Sequence, residues 1–334
     1  MNVLITGVGG FIGSHLTERL ISEGYHVIGV DGFTDYYPRQ MKERNVANLR
    51  GHERFTLIEG DLLDLDLAGL LQGELSSGVG ADIELVFHFA AQPGVRASWG
   101  QNFEVYTRNN VLATQRLLEA AREVPLKKFI YASSSSVYGD AESFPTPEDV
   151  TPRPISPYGV TKLAGEHLCL LYWRHYGVPV VSLRYFTVYG PRQRPDMAFH
   201  RFIRAMLEGC NIVVYGDGEQ TRDFTYVDDA VRGTVQAVET TVGGEVFNIG
   251  SGSPVTINEV IRALEDILGQ RARVRHVEPR RGDVRHTLAD IRRGVAALGY
   301  APRLALTDGL RAQVAWLIAN LEPVQPTVGS QSDS

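Results

Sequence analysis

Cysteine is nearly absent from this chain of 334 residues: only Cys169 and Cys210 occur. Two thiols cannot staple a disulfide scaffold or build a cysteine-rich zinc site. Long apolar runs are missing too, and no stretch approaches the ~18 residues of a membrane span. Neither charge sign dominates. Lys and Arg total 33 against 39 Asp and Glu, a net charge of −6. That balance argues against a broad nucleic-acid surface and leaves room for a local basic pocket. The stretch Met1–Gly7 has no basic segment and breaks into glycines at once, unlike a secretory signal. The expectation is a cytoplasmic protein with neither membrane nor nucleic acid as partner. What the chain does have is core material. Apolar residues make up 43% and charged residues 22%, ordinary values for a globular protein. Its length passes the ~250–300 residues at which one core stops growing, so a large domain with a smaller companion is expected.

Short apolar runs alternate with helical patterns through the first half. Val3–Thr6, Tyr25–Asp31, Phe55–Glu59, Leu85–Ala90, Phe129–Ser133 and Val180–Tyr185 read as strands. Ile12–Glu23, Leu62–Leu71, Glu104–Arg122 and Tyr158–Tyr176 read as helices between them. Apolar strands alternating with helices imply an α/β fold, a doubly wound parallel sheet covered on both faces. After Tyr189 the pattern becomes α+β, with helices at Ala198–Glu208, Val227–Glu239, Ile257–Leu268 and Asp308–Leu321 and a strand at Ile212–Tyr215. The expected division assigns 1–185 and about 225–245 to a Rossmann-like domain. Residues about 186–224 and 246–322 form a smaller substrate domain. A surface loop is expected at Ser76–Gly80, and 323–334 reads as a flexible tail.

Gly7, Gly10 and Gly13 follow the first strand and open the first helix. That spacing allows a tight turn, close approach to a pyrophosphate and close helix–sheet packing. The helix start adds free N–H groups and a positive dipole end. Asp31 closes the second strand, where a carboxylate accepts both adenosine ribose hydroxyls and repels a 2′-phosphate; NAD is favoured over NADP. Further on, Tyr158 and Lys162 stand one helical turn apart behind Pro157. A nearby ammonium, with the nicotinamide charge, should lower the tyrosine pKa and make it a usable base. Ser133–Ser136 lie at a strand's carboxyl end, where open α/β sheets bind ligands. His88 has no second ligand at metal spacing and reads as a sheet-end histidine.

In order along the chain come Thr6-Gly7-x-x-Gly10-x-x-Gly13, Asp61-Leu62, His88-Phe89-Ala90-Ala91, Ser133–Ser136-Val137-Tyr138-Gly139 and Tyr158-x-x-x-Lys162. Together they resemble the extended short-chain dehydrogenase/reductases that act on nucleotide sugars, from residue 1 to about 320. Asp31–Tyr37 and Arg184–Ala198 resemble the UDP-glucuronate 4-epimerase branch in particular. UDP-glucose 4-epimerases typically carry Asn where this chain has Thr187. The chain departs from relatives at Gly32, where Asn is frequent, and at Ser134, where some carry Thr.

The resemblance implies tightly bound NAD, transient oxidation at C4 of a UDP-hexuronic acid, and return of hydride to the other face of the 4-keto sugar. Tyr158 would be the base, Lys162 would hold the nicotinamide ribose, and Ser134 would orient the C4 oxygen. The resemblance assigns Phe11, Ile12, Gly32, Phe33, Asp61, Leu62, Phe89, Ala90, Ala91, Gln92, Asn109, Ser133, Tyr185 and Val188 to the cofactor, besides the glycines and Asp31. Ser135, Ser136, Thr187 and Arg194 would hold the sugar carboxylate away from the geometry that loses CO2. Arg222 and Arg285 would meet the diphosphate, and Ala198, Phe199, Val214 and Tyr215 the uracil. A homodimer would form through a four-helix bundle of Glu104–Arg122 and Tyr158–Tyr176. Dehydratases place Asp-Glu where this chain has Ser135-Ser136, and decarboxylases place Glu second. Elimination needs an acid/base pair there, which serine cannot supply. UDP-glucose/galactose epimerisation, a reductase and a non-enzymatic NAD-binding module are the other readings.

Overall fold

A strand covered on both faces can carry no solvated side chain, and the apolar runs of this chain meet that condition. A computed structural model describes residues 1–74, 83–278, 282 and 284–321. The loop expected at Ser76–Gly80 and the tail at 323–334 lie outside the described residues. The strands are β1 (Asn2–Thr6), β2 (His26–Asp31), β3 (Phe55–Glu59), β4 (Leu85–His88), β5 (Lys128–Ser134), β6 (Val180–Tyr185), β7 (Thr187–Tyr189), β8 (Asn211–Tyr215), β9 (Thr221–Tyr226), β10 (Glu245–Ile249), β11 (Pro254–Thr256) and β12 (Arg273–Val277). The helices are α1 (Phe11–Ser22), α2 (Arg39–Val46), α3 (Leu67–Leu71), α4 (Phe103–Tyr106), α5 (Ala113–Ala121), α6 (Pro157–Tyr176), α7 (Ala198–Leu207), α8 (Val227–Glu239), α9 (Ile257–Leu268), α10 (Arg292–Leu298) and α11 (Leu306–Asn320).

The main sheet has seven strands in the order β10-β6-β5-β4-β1-β2-β3, all paired in parallel. Successive side chains of a strand point to opposite faces. Accordingly Val3 and Ile5 join an apolar cluster with Leu16 and Leu20 of α1 and Val227 of α8. Leu4, between them, joins Leu117 and Leu118 of α5 and Tyr172 of α6 on the other face. The chain winds one way from β1 through β3 and the other way from β4. The crevice between the carboxyl ends of β1 and β4 is the switch point where such sheets bind ligands. β11-β9-β7 form a three-stranded sheet and β12-β8 a two-stranded one.

Several expectations shift. β10, Glu245–Ile249, where no strand was read, enters the main sheet beside β6. The strand expected to Ala90 ends at His88. The helix expected from Leu62 begins only at Leu67, because Asp61 turns the chain first: its side chain accepts from Leu63 N at 2.9 Å. The helix expected over Glu104–Arg122 carries a π-helical stretch, Thr107–Leu112, between α4 and α5. Its Asn110 side chain accepts from Gln92 N at 2.7 Å and donates to Gln92 O at 3.1 Å. Such insertions are frequent at functional sites.

Candidate active site

The glycine turn follows β1 and abuts the segment after β4. Gly7 has φ +77, and a Cβ there would lie 2.7 Å from the Ala90 nitrogen. A Cβ on Gly13 would lie 3.1 Å from the carbonyl carbon of Gly7. Backbone cannot yield as a side chain does, so both positions require glycine. No side chain caps α1, which leaves its first turn suited to an anion. Asp31 accepts from Gly9 N at 2.9 Å and from Phe33 N at 2.7 Å. Each oxygen keeps a second lone pair for a ribose hydroxyl. Lys42 lies 4.0 Å from Asp31 and donates to the Thr34 carbonyl at 2.8 Å. Burial lowers its pKa and the Asp31 charge opposes that. Sequence reasoning missed Lys42 because α2 was not recognised.

His88 completes the switch point. Thr114 donates to Asn110 O at 2.7 Å, so His88 Nε2 must donate to the Thr114 oxygen at 3.0 Å and Nδ1 accepts from Thr6 at 2.7 Å. Burial pushes the imidazole pKa down to about 3. Both ring nitrogens are thereby committed to structure.

Ser156 caps α6 by accepting from Gly159 N at 3.1 Å, with Pro157 in the first turn. Gly159 lets α6 approach the serine run: a Cβ there would lie 3.2 Å from the carbonyl carbon of Ser136. Tyr158 is thereby brought to Ser134, whose hydroxyl works against the effect of burial on the phenol. The Ser134 hydroxyl donates to Ser136 Oγ at 3.1 Å. Lys162 is buried and donates to the Ala132 carbonyl at 2.8 Å. Burial lowers its pKa to about 8. For Tyr158 the protein's own groups act first against the lowering expected from Lys162 with the nicotinamide charge. Burial raises its pKa, and the opposing influences are Ser134 and the Arg194 charge. The Lys162 ammonium is directed at a backbone carbonyl, so a depressed tyrosine pKa requires the nicotinamide charge as well.

Nearly all the residues expected at the site line one cleft of about 850 Å³. Phe33, Gln92, Phe199 and Arg285 are outside its wall. Phe33 stacks beneath Arg39 at 4.9 Å and touches the site through its backbone bond to Asp31. Gln92 is tied to Asn110. Phe199 packs in the core, 4.5 Å from the Phe224 ring. Arg285 is exposed and pairs with Asp217 at 3.2 Å. Its carbonyl accepts from Arg222 at 3.1 Å, and the Val284 carbonyl does so at 2.6 Å. Ser133 lines the cleft, but its hydroxyl donates to Glu166. Arg194 is not free either: Asp196 takes its Nε and Nη2 at 3.0 and 3.1 Å. The cleft adds residues that sequence reasoning missed, notably Tyr36, Arg96 and Asp196. Arg96 lies 4.4 Å over the Tyr215 ring; its place after a Pro-Gly turn at the carboxyl end of β4 was the available signal.

The model of the NAD dependent epimerase/dehydratase family matches residues 3–250. The chain belongs to this family. Among curated proteins it is 44% identical over 319 residues to a Bacillus subtilis protein described as an uncharacterized UDP-glucose epimerase, covering 95% of this chain and 98% of that one. It is 38% identical over 324 residues to the UDP-glucuronate 4-epimerase of Thermodesulfobacterium geofontis, covering 96% and 98%. Among solved structures it is similar to the Bacillus cereus UDP-glucuronic acid 4-epimerase in complex with UDP-glucuronic acid and NAD. The TM-score is 0.90 and the identity 47%, covering 96% of this chain and 99% of that one. As a member of this family the chain takes NAD, and its own geometry fits that group. Gly7 and Gly13 leave no room for a Cβ, the uncapped start of α1 would suit a pyrophosphate, and Asp31 would meet the ribose.

Proposed function

We propose that the protein interconverts UDP-glucuronate and UDP-galacturonate at C4. The reading rests on one observation above all. Arg194, Thr187, Ser135 and Ser136 share a cleft with the Tyr158–Ser134 pair. They supply a guanidinium and three hydroxyls to a sugar carboxylate, and positions 135 and 136 carry no acid for elimination. The activity of its Bacillus cereus and Thermodesulfobacterium geofontis relatives is the same.

NAD, when bound, would supply reversible hydride transfer at C4. Tyr158 takes the proton of the C4 hydroxyl as a general base and gives it back as a general acid. Ser134 orients the C4 oxygen. Lys162 holds the nicotinamide ribose and, with its charge, favours the phenolate. The 4-keto sugar is a β-keto acid, prone to lose CO2 when its carboxylate aligns with the ketone. Arg194, Thr187 and the two serines hold the carboxylate out of that alignment, a use of fixed bonds for orientation. Arg222, with Arg285 after a side-chain swing, meets the diphosphate; Val214 and Tyr215 border the uracil.

The division into a cofactor domain and a substrate domain belongs to this proposal, as does a cytoplasmic location. The proposed homodimer draws support from exposed apolar residues: Val105 and Leu112 on the 103–121 segment, Val160 and Leu171 on α6. Among the described residues no helix is long and apolar enough to cross a membrane. The test is incubation with UDP-glucuronate deuterated at C4, read by NMR. UDP-galacturonate with the label kept is expected. Unchanged substrate, or CO2 and a pentose as the main products, sinks the reading.

A further inference from the structure

A guanidinium offers two bidentate edges, Nε with Nη2 and Nη1 with Nη2. Asp196 takes the first edge of Arg194, one oxygen on Nε and the other on Nη2. Among the described residues no hydrogen bond reaches Nη1. Asp196 is held in turn from across the cleft: the Tyr36 hydroxyl, in the loop between β2 and α2, donates to its Oδ2 at 3.3 Å. The Tyr36 hydroxyl lies against Gly94, where a Cβ would collide with it. All three side chains line the cleft that contains Tyr158, and the Arg194 charge acts on the Tyr158 phenol. The pair is partly sheltered, with Arg194 20% and Asp196 37% exposed.

We propose that Asp196, braced by Tyr36, is a positioning residue that turns the free Nη1/Nη2 edge of Arg194 toward the substrate carboxylate and so sets the preference for a hexuronate over a neutral hexose. The inference rests on the proposed function. Asp196 does not touch the sugar. It fixes the arginine rotamer from the far edge, so the near edge meets the incoming carboxylate without a further loss of side-chain freedom. Asp196 also carries a charge of the same sign as the substrate carboxylate. Its removal therefore has two opposed effects: looser aim, and less repulsion. Different readouts separate them. Looser aim lowers discrimination and lets the carboxylate rotate toward CO2 loss. Less repulsion tightens hexuronate binding and leaves the product ratio alone.

The experiment uses the NAD-loaded protein and Asp196→Asn, Asp196→Glu and Tyr36→Phe. Calorimetry gives the affinities for UDP-glucuronate and UDP-glucose; NMR gives kcat, KM and the share of UDP-4-keto-pentose. Asp196→Asn should cut the affinity preference for UDP-glucuronate by about five-fold or more, the scale of a weakened charge-assisted pair. The pentose share should rise, and UDP-glucose binding should stay near wild type. Asp196→Glu should restore part of the preference. If Asp196→Asn does not fold, Tyr36→Phe carries the test, with a smaller shift in the same direction. An unchanged preference overturns the proposal, as does an equal loss for both sugars. Tighter UDP-glucuronate binding with an unchanged product share overturns it too. Wild type is measured first. If it binds UDP-glucuronate with preference but does not epimerise it, the proposed function fails and the binding comparison still decides the role of Asp196.

Discussion

Replacing Glu166 by glutamine should strip the catalytic layer of a buried charge. Glu166 follows Lys162 by one turn of α6, on the side that packs against β5 and β6. Its carboxylate accepts from Arg184 Nε at 2.9 Å and Nη2 at 2.8 Å, and from Ser133, the neighbour of Ser134. The two charged side chains are 6% and 5% exposed, so solvent screens neither. In Glu166→Gln the Arg184 charge stays buried. Besides the one amide oxygen that glutamine keeps, its partners are the Glu148 carbonyl at 3.1 Å and the Tyr138 ring at 4.7 Å. Glutamine also turns N–H groups toward a guanidinium that only donates. Orphaning one member of a buried pair costs about 3–5 kcal/mol. Urea unfolding of the NAD-loaded protein measures it, and Glu166→Met/Arg184→Met should recover a good part of the loss, since an apolar replacement of both partners is often tolerated. A single variant within ~1 kcal/mol of wild type would mean the pair is worth no more than an exposed bridge, and the reasoning would be refuted.

Tyr158→Phe should lower turnover by at least ~10²-fold, the scale of a lost general base, while UDP-sugar binding is kept; near-normal turnover of a folded variant, read by NMR, removes its assigned role. Arg194→Ala should bind UDP-glucuronate about ten-fold more weakly or worse, discriminate less against UDP-glucose, and release more CO2 and UDP-4-keto-pentose; unchanged affinity in calorimetry would make Arg194 a partner of Asp196 alone. Burial pushes the Lys162 pKa down to about 8. The unfolded chain, near 10.4, binds more protons between these values, so the Lys162 contribution to stability rises with pH across that window. Wild type should gain on Lys162→Met by on the order of 2 kcal/mol between pH 7.5 and 9.5 in denaturant titrations. A constant difference contradicts the buried position of the amine.

The parallel sheet was legible because strands buried on both faces must be apolar runs, as Val3–Thr6 and Val180–Tyr185 are. β10 was not, since Glu245 and Asn248 break its run. Asn248 is buried yet satisfied by Tyr138, Thr146, Glu148 and Asp290, partners far away in sequence. The same limit applies at the site. Tyr158 and Lys162 share a helix face, so their spacing was readable, and Glu166 continues it. Tyr36 and Asp196 meet only through the fold. The commitments of Ser133, Gln92, Arg194 and Arg285 are likewise tertiary: a residue type and its position in a motif do not say which neighbour has already taken its hydrogen bonds.

The most direct test is competition between substrates. The as-purified protein, with no NAD added, is given UDP-glucuronate and UDP-glucose together, and each product is followed by NMR. A cleft that sets Arg194, Thr187 and two serines against a carboxylate should convert UDP-glucuronate to UDP-galacturonate with kcat/KM at least ~10-fold above that for UDP-glucose, as one charge-assisted contact warrants. Equal conversion of both sugars, or faster conversion of UDP-glucose, would contradict the account.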